Sequence, residues 1–238
     1  MKLRLAAALA AGVLTIAVLA LGSTYWAARR VPEFYQEVLQ AEPAALKQNS
    51  DQLLENAAAL ASSARNEGRW QALFTAEQIN GWLAVDVVKN FPELLPPGVS
   101  DPRVAIHPGR IALACRYLDG PVETVLSLEG EVYLQEPNVL SVRILRARAG
   151  ALPAPLGSLL KGISRAADDA ELQLRWLQAG GDPVAVIRLQ PSDGERNKIR
   201  IEAIELREGK IYLAGRTIGG GAESGPIAST PDDAPKVR

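Results

Sequence analysis

The chain has 238 residues, with 26 Lys and Arg against 27 Asp and Glu and a net charge of −1, so no global basic field draws it to nucleic acid. Its single Cys, Cys115, excludes an intramolecular disulfide framework and a cysteine-rich metal cluster, and its single His, His107, leaves a His-based zinc site short of ligands and is the one residue any Ser-His-Asp triad would have to use. The expectation is a non-catalytic protein without cofactor or metal.

Leu5 to Ala28 carries no charge and is framed by Lys2 and Arg4 before it and Arg29 and Arg30 after it. As a helix this stretch would reach ~36 Å, enough to cross a ~30 Å hydrocarbon core. A cleaved signal peptide has a basic start, a shorter apolar core and a small-residue cut site; small residues near Ala20 and Gly22 allow that reading. The apolar run continues through Tyr25 and Trp26, however, and an aromatic pair suits a membrane interface. The sequence therefore predicts an uncleaved single-pass anchor over 1–30 in the plasma (inner) membrane. Lys2, Arg4 and the N-terminal amine argue for an N-terminus in the cytoplasm, Arg29 and Arg30 weaken that asymmetry, and the short tail before a long C-terminal domain favours the domain outside.

Residues 31–68 read as a helical segment punctuated by Pro32 and Pro43, since Pro is tolerated in a first helical turn. Leu46, Leu53, Leu54, Ala57, Leu60, Ala61 and Ala64 make an amphipathic stripe. The stripe packs on its own domain or serves as a contact arm.

An α+β domain is expected over 69–217. Trp70 to Phe74 reads as a short strand. Thr75 and Gln78 then form a capping box, opening a helix whose apolar face is Ile79, Trp82, Leu83, Val87, Val88 and Phe91. Asn80 sits one step off that face. A short amide there commonly bonds neighbouring backbone and locks a helix to a strand end; ligand contact is the alternative.

From Pro102 the period changes to 2. Candidate strands run over 103–107, 110–117, 122–135 (interrupted near Gly130) and 139–148, separated by Pro108-Gly109, Asp119-Gly120-Pro121 and Glu136-Pro137-Asn138 turns. On the second of these Ile111, Leu113, Cys115 and Tyr117 face one way and Arg110 and Arg116 the other. Leu140, Val142 and Ile144 share a face of the fourth. This spacing predicts a curved antiparallel meander packed on one or two helices. A helix with a Leu156, Leu159, Leu160 and Ile163 stripe follows, then strands over 171–178, 183–190, 198–207 and 210–217. The apolar parity slips by one near Ala203, where a β-bulge would restore a continuous face. Residues 218–238, rich in Gly, Ser, Pro and Asp, read as a disordered tail.

Little here signposts chemistry. His107 beside Pro108-Gly109 reads as a rim histidine, and Cys115 on an apolar face as an inert buried thiol. Asp168, Asp169 and Glu171 read as a solvated helix end. Arg143, Arg146 and Arg148 crowd one strand, as ordinary solvent-face charge or as a contact for anionic lipid headgroups or wall polymer. Gly219-Gly220-Gly221 lacks the Lys-Ser/Thr of a phosphate loop.

Thr75, Gln78, Ile79, Asn80 and Leu83 match a Thr/Ser-x-x-Gln/Glu-Ile/Leu-Asn-x-x-Leu element, and the run from Ile204 to Gly215 matches a closing hairpin. On these motifs the chain resembles a group of bacterial envelope proteins that includes the YpmS-like family and, more distantly, tubular lipid-binding (TULIP-like) domains. The resemblance implies a sheet wrapped on a helix with an apolar groove, and a role in lipid binding or envelope maintenance. The expected function is a membrane-anchored extracytoplasmic binding protein holding lipid or another apolar ligand between sheet and helix. The ligand-binding candidates are Asn80, Trp82, Leu113, Leu128, Leu140 and Val142. The alternative is a non-catalytic envelope scaffold that uses residues 31–66 to reach a protein partner.

Overall fold

The computed structural model describes residues 26–120, 122–154, 156–169, 171–189 and 197–219. The expected anchor and tail therefore lie outside the described residues, apart from 26–30 and 218–219. Among the described residues no helix is long and apolar enough to cross a membrane.

The fold is α+β and antiparallel throughout. Two helices come first, α1 (Glu33–Leu39) and α2 (Pro43–Arg65). Pro43 occupies the first turn of α2, where its missing N–H costs nothing. Strand β1 (Gly68–Thr75) leads into helix α3 (Ala76–Trp82). The capping box is formed as the sequence suggests: the Gln78 N–H donates to Thr75 Oγ1 at 3.2 Å and the Thr75 N–H to Gln78 Oε1 at 3.1 Å.

Helix α3 runs on through a π turn, Leu83–Val87, and a last α turn, Val88–Asn90. A π turn carries an extra residue and rotates the later residues relative to the preceding face. Val87 is consequently buried while Val88 and Phe91 turn outward, against the single apolar face expected over 79–91. Asp86 in the π turn accepts hydrogen bonds from Ser50 Oγ and from Asn90 Nδ2.

The strands β2 (Val99–His107), β3 (Arg110–Asp119), β4 (Val122–Glu136) and β5 (Val139–Ala149) form the expected meander. A short β6 (Leu152–Pro153) pairs with β5, and helix α4 (Leu156–Asp169) follows. The β7 (Gln173–Ala179) and β8 (Asp182–Arg188) hairpin then completes the large sheet in the order β2-β3-β4-β5-β8-β7.

The single meander expected over the whole domain is not what forms. The final hairpin, β9 (Asn197–Arg207) and β10 (Lys210–Gly219), leaves the large sheet and makes a three-stranded sheet with β1 in the order β1-β10-β9. Pairing of β1 with β10 runs from Gly68 opposite Thr217 to Thr75 opposite Lys210. Alternation along a strand tells which face a residue takes, not which strand lies beside it. The bulge expected near Ala203 is present. Ala203 pairs with Ala214 and Ile201 with Gly215, leaving Glu202 as the extra residue. β10 also extends to Gly219, two residues into the segment expected as tail.

Helix α2 is docked on this small sheet and on α3. A Cβ on Gly81 would lie 2.6 Å from the Ser50 backbone nitrogen, so the two helices cross at a point only glycine permits. At its C-terminal end the Thr217 hydroxyl donates to the Ala64 carbonyl (2.6 Å) and accepts from Trp70 Nε1 (3.2 Å). The docked side includes Ser50 and Ala64, both buried. Leu54, Ala57 and Ala61, part of the expected apolar stripe, are exposed.

The two ends of the large sheet are held differently. At one end the β2–β3 and β9–β10 turns interlock, with Gly209 N–H donating to Ile106 O (2.9 Å) and Gly109 N–H to Leu206 O (3.1 Å). There Asn138, in the left-handed region at φ 65°, clips the β4–β5 turn to β9 by accepting from Ile201 N–H (2.6 Å) and donating to Ile199 O (2.9 Å). At the other end residues 26–28 are helical and their carbonyls are captured: Ala27 O by Ala151 N–H (2.8 Å) and Ala28 O by the Thr124 hydroxyl (2.6 Å). Gly150, at φ 62°, lies where a Cβ would collide with both carbonyls.

Candidate functional site

Antiparallel partners share a face of a sheet, so the register sorts the large sheet into two surfaces. One is apolar. Across it run Val104, Leu113, Leu128 and Ala147 in one row and Ile106, Ile111, Gly130 and Ile144 in the next, followed by the Val132–Val142–Ala185 and Leu134–Leu140–Ile187 rows. Val104 and Ile106 are 1% and 2% exposed and pack with Leu206 against Ile79 and Leu83 of α3 and Ile204 and Ile211 of the small sheet. Burying such side chains contributes ~1.5–3 kcal/mol each. On the far flank, Trp176 Nε1 donates to Ser164 Oγ of α4 at 2.9 Å. The stripe of α4, Leu156, Leu159, Leu160 and Ile163, is half-buried.

Four of the expected ligand residues share this surface. Leu113 and Leu128 are direct partners. Val142 and Leu140 lie on β5, with their β4 partners Val132 and Leu134 beginning about 13 Å along from Leu128 at ~3.3 Å per residue. Leu113 is 42% exposed although hydrogen-bonded strands flank it on both sides. Trp82 is half-buried on α3. Asn80, 3% exposed, accepts from the Val104 N–H (2.7 Å) and donates to the Val104 carbonyl (2.8 Å). That is the helix-to-strand lock the sequence suggests. It holds Asn80 at the free edge of β2, on the side away from β3 and Leu113. Cys115 is on the same surface, and burial pushes its thiol up to about 11, away from reactive thiolate.

The opposite surface is arginine-rich. Arg103, Arg110, Arg116, Arg143, Arg146 and Arg148 all fall on it. By strict alternation Arg143 and Arg146 would point apart. The register shift between Glu129 and Gly130 leaves Leu145 unpaired and brings them together. Gly130, where the sequence suggests an interruption, fits there because a Cβ would press on Arg143 O and Val142 at 3.1 Å. Glu129 pairs with Arg146 (3.3 Å) and Arg110 (3.6 Å), Glu131 with Arg143 (3.8 Å), and Asp101 with Arg116 (3.5 Å). Arg103 is buried and its guanidinium is pulled below its ordinary value by that burial.

No protein-family model, curated protein or solved structure matches this chain.

Helix α1 lies on the arginine surface. Tyr35, 0% exposed, packs with Ala114 and Val125 and donates its hydroxyl to the Asp101 carbonyl at 2.8 Å. Burial, with Asp101 adding to it, pushes the Tyr35 hydroxyl up to about 12. Between the strap of residues 30–34 and the sheet is a cavity of about 370 Å³. A second cavity of about 390 Å³ lies at the β4–β5 turn against Lys198, Ile199 and Arg200. Of the expected ligand residues only Leu128 lines either cavity, and it lines the first; Asn80, Trp82, Leu113, Leu140 and Val142 line neither. His107 is at the β2–β3 tip, its Nδ1 3.2 Å from Glu208, with both side chains exposed. Asp168 and Asp169 end α4 in solvent.

Proposed function

We propose that the chain is a membrane-anchored lipid-binding module that holds an acyl chain against the apolar surface of its large sheet, toward α4. The observation that carries this reading is Leu113. A leucine on an internal strand of an apolar surface, opposite Leu128, is 42% exposed where a sealed core would cover it. The uncharged stretch from Leu5 to Ala28 supports the anchor, and a short basic tail before it with a long domain after it supports a domain on the extracytoplasmic side. The resemblance to YpmS-like and tubular lipid-binding domains points the same way.

The test uses the full chain in nanodiscs containing a lipid with a photoreactive acyl chain. Cross-links mapping to peptides around Leu113 and Leu128, and lost in Leu113→Arg, are the expected outcome. Cross-links confined to the first 30 residues would overturn the reading. The scaffold reading keeps one supporting observation, the outer stripe of α2, where Leu54 is 46% exposed. Partner capture abolished by Leu54→Glu, with no acyl cross-link to the sheet, would favour it.

A further inference from the structure

The cavity under the strap has a different chemistry from the apolar surface. Its walls are Arg30, Val31 and Phe34 on the strap and Ser127, Arg146 and Arg148 on the sheet, with Glu129 at its floor. Its volume, about 370 Å³, falls at the small-molecule end of ligand sites. It suits a compact polar group rather than an extended chain.

The charges within it do not cancel. Glu129 is already shared between Arg110 and Arg146. His107, at the cavity's far end, faces Glu208. Among the described residues no carboxylate lies within ion-pair distance of Arg30 or Arg148. The Arg30 guanidinium instead stands 5.4 Å from the Trp26 ring. Among the described residues, two forked cations without a carboxylate partner, and a third that shares Glu129 with Arg110, surround a space that also presents the half-buried Ser127. Guanidinium forks match tetrahedral oxyanions in a bidentate manner, and a hydroxyl completes such a set.

Placement narrows the ligand further. Arg30 stands two residues after Ala28, the second of the two carbonyls captured at the sheet end, and Arg148 precedes Gly150 by two residues. The cavity mouth is thus fixed within a few residues of where the uncharged stretch ends. In a bilayer the phosphate layer begins within several ångströms of the hydrocarbon boundary.

We propose that this cavity binds a phosphate-bearing anion through Arg30, Arg146 and Arg148. It is separate from the acyl surface, which lies on the other side of the sheet, and either can fail while the other stands. The phosphate comes from a lipid headgroup or from a free phosphate compound.

The experiment takes the full chain in two arms. In the first, the chain released from nanodiscs of equal phosphatidylglycerol and phosphatidylcholine is weighed by native mass spectrometry, and retained lipids are counted. In the second, the chain in phosphatidylcholine nanodiscs is titrated calorimetrically with inorganic phosphate. Selective retention of phosphatidylglycerol assigns the headgroup as ligand. Phosphate binding without lipid selectivity assigns the free anion. Either signal should fall about tenfold for each of Arg30→Gln and Arg148→Gln. Arg148→Lys should fall in between, because it keeps charge and loses the fork. Both arginines are exposed, so the unfolding midpoint should not move and reports that the variants are folded. The proposal is overturned by a parent chain that shows neither signal, or by a double Gln variant that keeps the parent's signal.

Discussion

The two surfaces of the large sheet are made from alternate residues of the same strands, yet they are held by different physics. The apolar surface rests on burial: Val104 and Ile106 disappear beneath α3 and the small sheet. The arginine surface rests on a small cluster around Tyr35, with Val31, Phe34 and Leu39 packed against it, and on ion pairs whose arginines are exposed. Solvated ion pairs are worth ~0–1 kcal/mol and fade with salt. One surface therefore sets the stability of the sheet, and the other contributes little to it.

Substitutions can break or sharpen that contrast. Ile106→Ala should cost about 3 kcal/mol in urea unfolding, whereas Leu113→Ala, on the same surface but 42% exposed, should cost less than ~1 kcal/mol. Equal losses would mean that the apolar surface is sealed at Leu113. Asn80→Ala should cost about 2 kcal/mol, because it strips both partners from the buried Val104 peptide groups. Asn80→Asp should restore only part, since a carboxylate accepts from the N–H and cannot donate to the carbonyl.

On the arginine surface Tyr35→Phe should cost about 1 kcal/mol at neutral pH, the worth of the hydroxyl bond to Asp101. Its pH dependence has a definite sign. Folding raises the hydroxyl from 10.0 to about 12, so the neutral phenol belongs to the folded state. That contribution is intact below pH 10 and drains away as pH rises toward about 12. Cys115, raised from 9.0 to about 11, adds a second alkaline loss that begins near pH 9. Urea midpoints between pH 8 and 12 should fall less steeply for Tyr35→Phe above pH 10 and for Cys115→Ala above pH 9. The smallest effect belongs to Arg146→Gln. It should shift stability by under ~0.5 kcal/mol, and 1 M salt should erase the shift.

Much of this contrast is written in the sequence. The capping box at Thr75 and Gln78, the turns at Pro108-Gly109 and Asp119-Gly120, the slip at Ala203 and the opposed faces of β3 are local patterns with local causes. What escapes is non-local. Nothing near Trp70 states that its strand will pair with one that ends at Gly219, so the second sheet stays hidden. The π turn that exposes Val88 and Phe91 has no residue signature in the helix pattern. Three arginines on β5 are visible as a run, but their shared surface depends on Leu145 standing out of register. The cavity needs Arg30 as well, and its approach to Arg148 is set by the fold between them.

The captured carbonyls of Ala27 and Ala28 give the domain a seam that lies upstream of its first helix. A fragment beginning at Val31 would keep every numbered strand and helix, yet the Thr124 hydroxyl and the Ala151 N–H would lose their acceptors. Grafting the domain onto a foreign leader would meet the same limit: the splice preserves the sheet's end only if it falls ahead of Trp26.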